Sequence, residues 1–273
     1  MSLRRVIREI LPPFVTSWYR RWNSSYSFSG DYPSWDQAVA AADGYDSPAI
    51  LMRVRDAVRA VLDGKAAFER DGMTFGTMEH DWAFLSGLMT AAADSTGQFI
   101  VVDIGGSLGS TYLRYRSFLG KRSVRWTIAE QPNYVSEGRA LFQRGEIRFT
   151  DDVKKALGQR KVDLVILSSV LPYVSDPYGL LKSVAASGPR YVLLDRTPVV
   201  PGRDRLTVQK TRPPLVRASY PAWFLNLEKI RSLLLGRYDI VTEYPALDST
   251  SASGIPGARD IGLLCRIRRP GRR

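Results

Sequence analysis

The stretch Val101-Val102-Asp103-Ile104-Gly105-Gly106-Ser107-Leu108-Gly109-Ser110 decides the fold expected of this chain. Its apolar, β-branched beginning is typical of a buried parallel strand, and the small residues that follow favour a turn into a helix. Such a turn lets the backbone approach a ligand closely and leaves N–H groups available at the start of the helix. The stretch therefore predicts a strand, a ligand-binding loop and a helix, with a tight structural turn as the alternative.

The same stretch argues against two nucleotide-binding motifs. The dinucleotide fingerprint Gly-x-Gly-x-x-Gly is not met, because Ser107 and Ser110 stand at the second and third glycine positions. A Walker loop is excluded as well, since no Gly-Lys-Ser/Thr follows. A dehydrogenase is therefore disfavoured. Asp103, two residues before Gly105, instead suits the ammonium group of a cofactor that bears an amino acid.

The pattern around this stretch predicts the architecture. Short β-branched runs at 99–103, 124–129, 146–149, 162–168 and 190–195 alternate with helical stretches, which favours parallel βαβ units. A basic, loop-rich segment, a helix at 222–235 and a closing hairpin at 238–244 and 260–268 follow. We expect an α/β fold with a doubly wound, mostly parallel seven-stranded sheet. Helices at 35–43, 48–64 and 80–93 precede it, so we divide the chain into a basic helical cap (1–95) and an α/β domain (96–273).

Composition limits the class of protein. The chain has 273 residues, 24% charged and 44% hydrophobic, which is typical of globular proteins and excludes collagen, coiled coil and disorder. The single Cys265 excludes an intramolecular disulfide and fits a reducing compartment. Neither a membrane-spanning run nor the apolar core of a secretory signal is recognised. The expected location is therefore the cytoplasm.

The formal net charge of +12 is concentrated in three segments, 1–22, 196–217 and 253–273. Residues 1–22 combine helical apolar spacing with arginines and aromatics. They predict a helix packed on its own domain, an anchor at the inner face of the cell membrane or a weak nucleic-acid contact. Residues 196–217 are interpreted either as a solvated loop or as a site for an anionic acceptor. The C-terminal arginines of the third segment are interpreted mainly as a solvated tail after the last strand; they are Arg266, Arg268, Arg269, Arg272 and Arg273.

Further polar residues fall where predicted strands end. Glu130 ends the strand after Asp103, where a carboxylate can accept both hydroxyls of a ribose. Asp151 or Asp152, after the third strand, either meets an adenine amino group or caps a helix. Ser168 ends the fourth strand. Because carboxyl ends of parallel strands share one edge, these residues predict a ligand site there.

Taken together, these motifs resemble class I S-adenosylmethionine-dependent methyltransferases. More narrowly, the chain resembles a methyltransferase family of bacterial surface-polysaccharide and O-antigen gene clusters. The motifs that carry this resemblance are Phe28-x-Gly30-x-Tyr32-x-x-Trp35, Gly44-Tyr45-Asp46, Glu69-Arg70-Asp71, 103–110, Trp126 with Glu130-Gln131, 168–173, 195–198 and 219–223.

The resemblance implies a set of cofactor-binding residues for S-adenosyl-L-methionine. Asp103, Gly105, Gly106 and Gly109 would line its methionine end, with Ser107 in place of a more usual glycine. Glu130 would hold the ribose with Gln131 beside it, Asp151 or Asp152 would approach the adenine, and Ser168 would lie beside the transferred methyl group.

The candidates for catalysis are fewer. His80 is interpreted either as a general base or as a surface histidine, and Asp195, which ends the fifth strand, is the better-placed carboxylate. Tyr173 is expected to orient a sugar, together with Tyr220. Asp71 is expected to form an ion pair with Arg70 or to reach the site. No constellation of metal ligands is recognised.

The leading hypothesis is O-methylation of a saccharide, nucleotide-sugar or lipid-linked glycan acceptor in surface-polysaccharide biosynthesis. Nucleic-acid methylation is the first rival, but Ser169-Val170-Leu171-Pro172-Tyr173 lacks the Asn/Asp-Pro-Pro-aromatic motif of base amino-methylation, so no specific nucleic acid is expected. The second rival is a non-catalytic module that docks on membrane or glycan machinery.

Overall fold

A computed structural model describes residues 26–43, 48–142, 147–159, 161–246 and 253–268. The strands are β1 (Tyr26–Ser29), β2 (Phe68–Arg70), β3 (Met73–Phe75), β4 (Phe99–Ile104), β5 (Val124–Ala129), β6 (Ile147–Thr150), β7 (Leu164–Ser168), β8 (Tyr191–Val200), β9 (Arg205–Thr211), β10 (Ala218–Asn226), β11 (Tyr238–Pro245) and β12 (Arg259–Ile267). The helices are α1 (Trp35–Ala40), α2 (Pro48–Leu62), α3 (Trp82–Asp94), α4 (Ser110–Tyr115), α5 (Pro132–Leu141), α6 (Val153–Leu157), α7 (Pro177–Ser187) and α8 (Leu227–Leu235).

Seven strands form the core of the sheet in the order β6-β5-β4-β7-β8-β12-β11. The first five are parallel, while β12 runs antiparallel to β8 and forms the predicted closing hairpin with β11. Chain order reverses between β4 and β7, and the crevice at the carboxyl ends of strands at such a reversal is where open α/β sheets bind ligands. The predicted doubly wound α/β fold is therefore confirmed.

Both faces of this sheet are covered by helices. Val101 and Ile166 belong to the core cluster that includes residues of α2, α3, α4 and α5. Their neighbours Val102 and Val165 face the other cluster, with residues of α6, α7 and α8. Burial on both faces explains why the strands are continuous apolar runs in the sequence.

Three further strands extend the sheet beyond its carboxyl edge. Strand β8 continues past the end of β7 and pairs with β10 at Val199 and Val200. Strand β10 pairs with β9, and β9 with β1, both antiparallel. We call β1, β9 and β10 the cap sheet. Strand β1 comes from the predicted N-terminal region, so the two predicted regions share one sheet.

The sequence prediction is wrong for part of 196–217 and for the start of the helix at 222–235. Residues 196–200 belong to β8, residues 205–211 form β9 and residues 222–226 belong to β10, so α8 begins only at Leu227. Strand β9 was missed because its apolar residues alternate with polar ones that are also buried, such as Thr207 and Gln209. A polar face usually indicates solvent, whereas here it faces the interior.

The N-terminal helices α1, α2 and α3 lie close to their predicted positions. The β2–β3 hairpin between α2 and α3 was not predicted. The basic segment 1–22 lies outside the described residues. Among those that are described, no helix has the length and apolar character to span a bilayer.

We expect Asp163→Ala to lower the free energy of unfolding by about 1–3 kcal/mol, because the substitution removes a buried acceptor that receives two hydrogen bonds. Asp163 is buried, and its Oδ2 accepts from the Ser95 hydroxyl and from the Ile100 N–H, each at 3.0 Å. Chemical denaturation measures the effect.

The control is Asp239→Ala, which breaks the exposed ion pair with Arg268 (Oδ1–Nε 2.8 Å) and should cost less than about 1 kcal/mol. Equal losses in the two variants would contradict the structural role of Asp163.

Candidate functional site

A cavity of about 210 Å³ lies at the carboxyl edge of the sheet, with the β2–β3 hairpin and the cap sheet contributing to its walls. It brings together ten of the residues that the sequence indicated. These are Asp71, Asp103, Gly105, Gly106, Ser107, Glu130, Ser168, Tyr173, Asp195 and Tyr220.

The glycine loop after β4 is shaped by close contacts. Gly105 has φ +69°, and a Cβ there would lie 2.7 Å from Val170 in the loop after β7. At Gly106 a Cβ would lie 2.6 Å from the carboxyl group of Asp103. Gly106 is therefore needed to make room for that carboxylate. Ser107 adopts φ +53°, a left-handed conformation that is uncommon for a residue with a side chain.

Asp103 is 1% exposed at the end of β4. Its Oδ2 accepts a hydrogen bond of 3.1 Å from the indole Nε1 of Trp126, on the neighbouring strand β5. Burial raises its pKa to about 7, against the opposing effect of the Trp126 hydrogen bond, and the nearby Glu130 carboxylate raises it further. A cation arriving beside Asp103 would therefore favour the ionised carboxylate.

Glu130 lies one strand away, directly after β5. Its Oε1 accepts from the Ser107 N–H at 3.2 Å and its Oε2 from the Gln131 N–H at 2.8 Å. Burial raises the pKa of Glu130, and the two N–H donors partly counter this rise. The two hydrogen bonds fix the carboxylate beside the glycine loop, where it can accept hydroxyl groups.

Asp195 and Ser168 face each other on β8 and β7. The Ser168 hydroxyl donates to Asp195 Oδ2 at 2.9 Å, and the Tyr244 hydroxyl donates to Oδ1 at 3.3 Å. Burial raises the pKa of Asp195 to about 6, while the Arg196 charge opposes the rise. Asp195 is therefore mostly ionised at neutral pH and can accept a proton.

The β2–β3 hairpin places a third buried carboxylate in the cavity. Glu69 is 4% exposed and accepts from the Ser110 hydroxyl and from the Gly72 N–H. Burial, aided by the Asp71 charge, raises its pKa to about 8. The motif Glu69-Arg70-Asp71 did not by itself indicate a role for Glu69 in the site. Asp71-Gly72 is a recognised hairpin signal and could have predicted the turn between β2 and β3.

The expected ion pair between Asp71 and Arg70 is wrong, because Asp71 pairs with Arg196 (Oδ2–Nη2 2.9 Å). Tyr26 of β1 also donates to Asp71 Oδ2, at 3.4 Å. Burial acts to raise the pKa of Asp71, but the charges of Arg196 and Arg70 and the hydrogen bonds from Arg196 and Tyr26 together lower it. These contacts join the hairpin to β8 and to the cap sheet.

The cap sheet also contributes polar side chains. The Tyr173 hydroxyl donates to Gln209 Oε1 at 2.9 Å, and the Gln209 Nε2 donates to the Tyr220 hydroxyl at 3.4 Å. Burial raises the pKa of Tyr173 to about 12, so its phenol stays protonated and serves as a donor. Gln209 was not among the predicted residues.

His80 does not line the cavity. Its ring lies 5.0 Å from that of Trp82 and 4.9 Å from that of Phe118, measured between ring centroids. Its environment is therefore an aromatic cluster outside the cavity.

The remaining predicted residues also lie outside the lining. Asp152 caps α6 by accepting the Lys155 N–H at 2.9 Å, and Asp151 is exposed. Gly109, with φ +89°, precedes α4, and Gln131 is exposed at the start of α5. In the described part of the chain, no three His, Cys, Asp or Glu residues are grouped to hold a metal ion.

The buried carboxylates should make the ligand-free protein less stable as pH rises. Glu69, Asp103 and Asp195 have raised pKa values, of about 8, 7 and 6, so the folded state binds their protons more tightly than the unfolded chain. This stabilisation is full below the unfolded pKa values and is lost as pH rises through the folded ones. The free energy of unfolding should therefore fall between pH 5 and 8, as measured by urea denaturation.

Glu69→Gln should reduce that slope, whereas the exposed Glu228→Gln should leave it unchanged. A Glu69→Gln slope identical to that of the wild type would contradict the burial of an ionisable group at this position.

Comparisons with known proteins give distant structural neighbours. No family model and no curated protein matches the chain. The N-terminal domain of EvdMO1, crystallised with SAH and D-fucose, is 16% identical, with 78% of this chain and 97% of that chain covered and a TM-score of 0.48. An S-adenosylmethionine-dependent methyltransferase from Clostridium acetobutylicum is 10% identical, with 70% and 94% covered and a TM-score of 0.45.

A third neighbour is the 1,6-didemethyltoxoflavin-N1-methyltransferase of Burkholderia thailandensis. It is 17% identical, with 84% of this chain and 95% of that chain covered and a TM-score of 0.41. The chemistry of the cavity is therefore inferred from its own residues.

Proposed function

We propose that the chain is an S-adenosyl-L-methionine-dependent methyltransferase with this cavity as its active site. The observation that carries the proposal is a pair of carboxylates, the buried Asp103 and the partly buried Glu130, on adjacent strand ends around a glycine loop at the reversal of strand order. When bound, the cofactor supplies a methyl group on a positively charged sulfur. An ammonium group and a diol in the same ligand match these two carboxylates.

Different residues would bind different parts of that ligand. Asp103 would pair with the ammonium group, and Glu130 would accept the ribose hydroxyls. Gly105 and Gly106 keep side chains out of the space between the loop and its neighbours. Ser168 lies at the adjoining strand end, next to Asp195, so it marks the side of the cavity on which the acceptor is expected.

Asp195 is the group that we propose as general base. Its carboxylate is ionised at neutral pH and lines the cavity, so it can take the proton of an acceptor hydroxyl. Tyr173 is protonated and acts by positioning. The hairpin and the cap sheet contribute to the walls of the cavity, so they would shield the reacting groups from water that competes with the acceptor.

For the acceptor we propose a saccharide or glycan precursor, as the sequence resemblance implies. A nucleotide sugar or a lipid-linked glycan would present such a saccharide. The hydroxyl and amide groups of Tyr173, Gln209 and Tyr220 on the cavity wall support this proposal, because they can form hydrogen bonds with hydroxyl groups.

Calorimetric titration with S-adenosylhomocysteine tests the cofactor site. The wild-type protein should bind it with micromolar affinity and should bind neither NADH nor ATP. Asp103→Asn and Glu130→Gln should each weaken binding at least tenfold, because each removes a charge that faces the ligand. This loss corresponds to about 1.4 kcal/mol.

The matched control is Asp151→Asn, an exposed acid outside the cavity lining, which should bind like the wild type. Absence of heat with wild-type protein freed of any co-purified ligand would overturn the proposal in favour of a non-catalytic module.

The variant Asp195→Asn tests whether Asp195 is the general base. Transfer of an isotope-labelled methyl group from the cofactor to a glycoside acceptor should fall at least about 100-fold, with binding of S-adenosylhomocysteine within twofold of the wild type. The wild-type rate should fall as pH drops below about 6, where the carboxyl becomes protonated. A wild-type rate that is constant from pH 5 to 8 would argue against Asp195.

A further inference from the structure

Strand β9 carries a row of buried polar side chains. Thr207, Gln209 and Thr211 alternate with the apolar Leu206 and Val208, so they share one face of the strand. All three are at most 7% exposed. Burying polar groups is unfavourable unless they form hydrogen bonds, so each side chain of this row should have hydrogen-bond partners.

The two threonines are satisfied by the backbone. Thr207 Oγ1 donates to the Ala222 carbonyl at 2.9 Å, and Thr211 Oγ1 donates to the Val216 carbonyl at 2.5 Å. Gln209 differs, because its side-chain partners are the hydroxyls of Tyr173 and Tyr220 on the cavity wall.

The amide of Gln209 retains hydrogen-bonding capacity. A glutamine side chain has two N–H donors and two carbonyl lone pairs. Among the described residues, it gives one N–H to Tyr220 and receives one hydrogen bond from Tyr173. One donor and one acceptor are left for a ligand, and a hydroxyl group, which both donates and accepts, is complementary to such a pair.

At the end of the cavity formed by the cap sheet, positive charge is already compensated by an acidic side chain. Of the six basic residues in 196–217, Arg196 alone lines the cavity, and it is paired with Asp71. Arg203 and Arg205 contact Asp31, outside the cavity. Lys210, Arg212 and Arg217 are exposed and do not line it.

The other arginines that line the cavity lie elsewhere. Arg53, Arg70 and Arg114 belong to α2, β2 and α4, on the side of the hairpin. Leu215 and Val216 add apolar wall beside the cap sheet, which suits the C–H face of a ring.

We propose that Gln209 determines acceptor specificity, and that its subsite takes an uncharged, hydroxyl-bearing ring while any phosphate of the acceptor stays outside this subsite. The inference rests on the proposed methyltransferase function and narrows its substrate. Tyr173 and Tyr220, whose ring centroids lie 5.4 Å apart in an edge-on arrangement, hold the amide in place.

The test is saturation-transfer NMR and titration with methyl glycosides and with the corresponding sugar 1-phosphates, in the presence of saturating S-adenosylhomocysteine. At least one methyl glycoside should bind to the wild-type protein at least tenfold more tightly than its 1-phosphate. Gln209→Leu should weaken glycoside binding at least tenfold and leave binding of S-adenosylhomocysteine within twofold. If Gln209→Leu does not fold, Gln209→Asn replaces it in the test, because asparagine keeps the amide on a shorter side chain.

The control is Gln159→Leu, which removes an amide that also forms two hydrogen bonds, to Thr127 Oγ1 and the Ala156 carbonyl, away from the cavity. It should not change glycoside binding. Tighter binding of the phosphates, an equal loss in Gln159→Leu, or no glycoside binding despite normal binding of S-adenosylhomocysteine would each overturn the inference. Failure to bind S-adenosylhomocysteine would instead overturn the proposed function and the inference with it.

Discussion

The burial of one carboxylate, that of Asp103, is the constraint on which the rest of the site depends. A carboxylate in an apolar sheet is costly, and two neighbours accommodate it. Trp126 donates its indole N–H to this carboxylate, and Gly106 leaves room for it that any side chain would fill. The next residue of the loop, Ser107, donates its N–H to Glu130. The glycine loop is therefore shaped by the acid before it as much as by any ligand.

The second organising contact is the ion pair between Asp71 and Arg196. Both residues have a positive φ, +54° for Asp71 in the turn of the β2–β3 hairpin and +48° for Arg196 in β8, where the register with β12 shifts. A short hairpin with little core of its own is connected by this ion pair to the strand that carries Asp195. The wall around Glu69 consequently depends on a residue far along the chain.

The sequence predicted those strands and helices whose apolar residues recur with a regular period. Asp103 and Glu130 could be placed together because one βαβ unit brings successive strand ends to one edge. Gln209 could not, since a strand with one apolar and one buried polar face has the pattern of a solvated segment. Glu69 was missed for another reason, because a three-residue strand gives almost no periodic signal. Asp152 caps α6, which is one of the two alternatives that spacing alone leaves open for it.

The length of β8 has a consequence for how such a protein diversifies. This strand runs from the core of the sheet into the cap sheet, so Asp195 and the wall that carries Gln209 are parts of one continuous backbone ladder. The glycine loop and Glu130 stand on other strands. Under the proposed function, exchanges of side chains along β9 and β10 would alter the choice of acceptor without changing the strands that carry the glycine loop and Glu130.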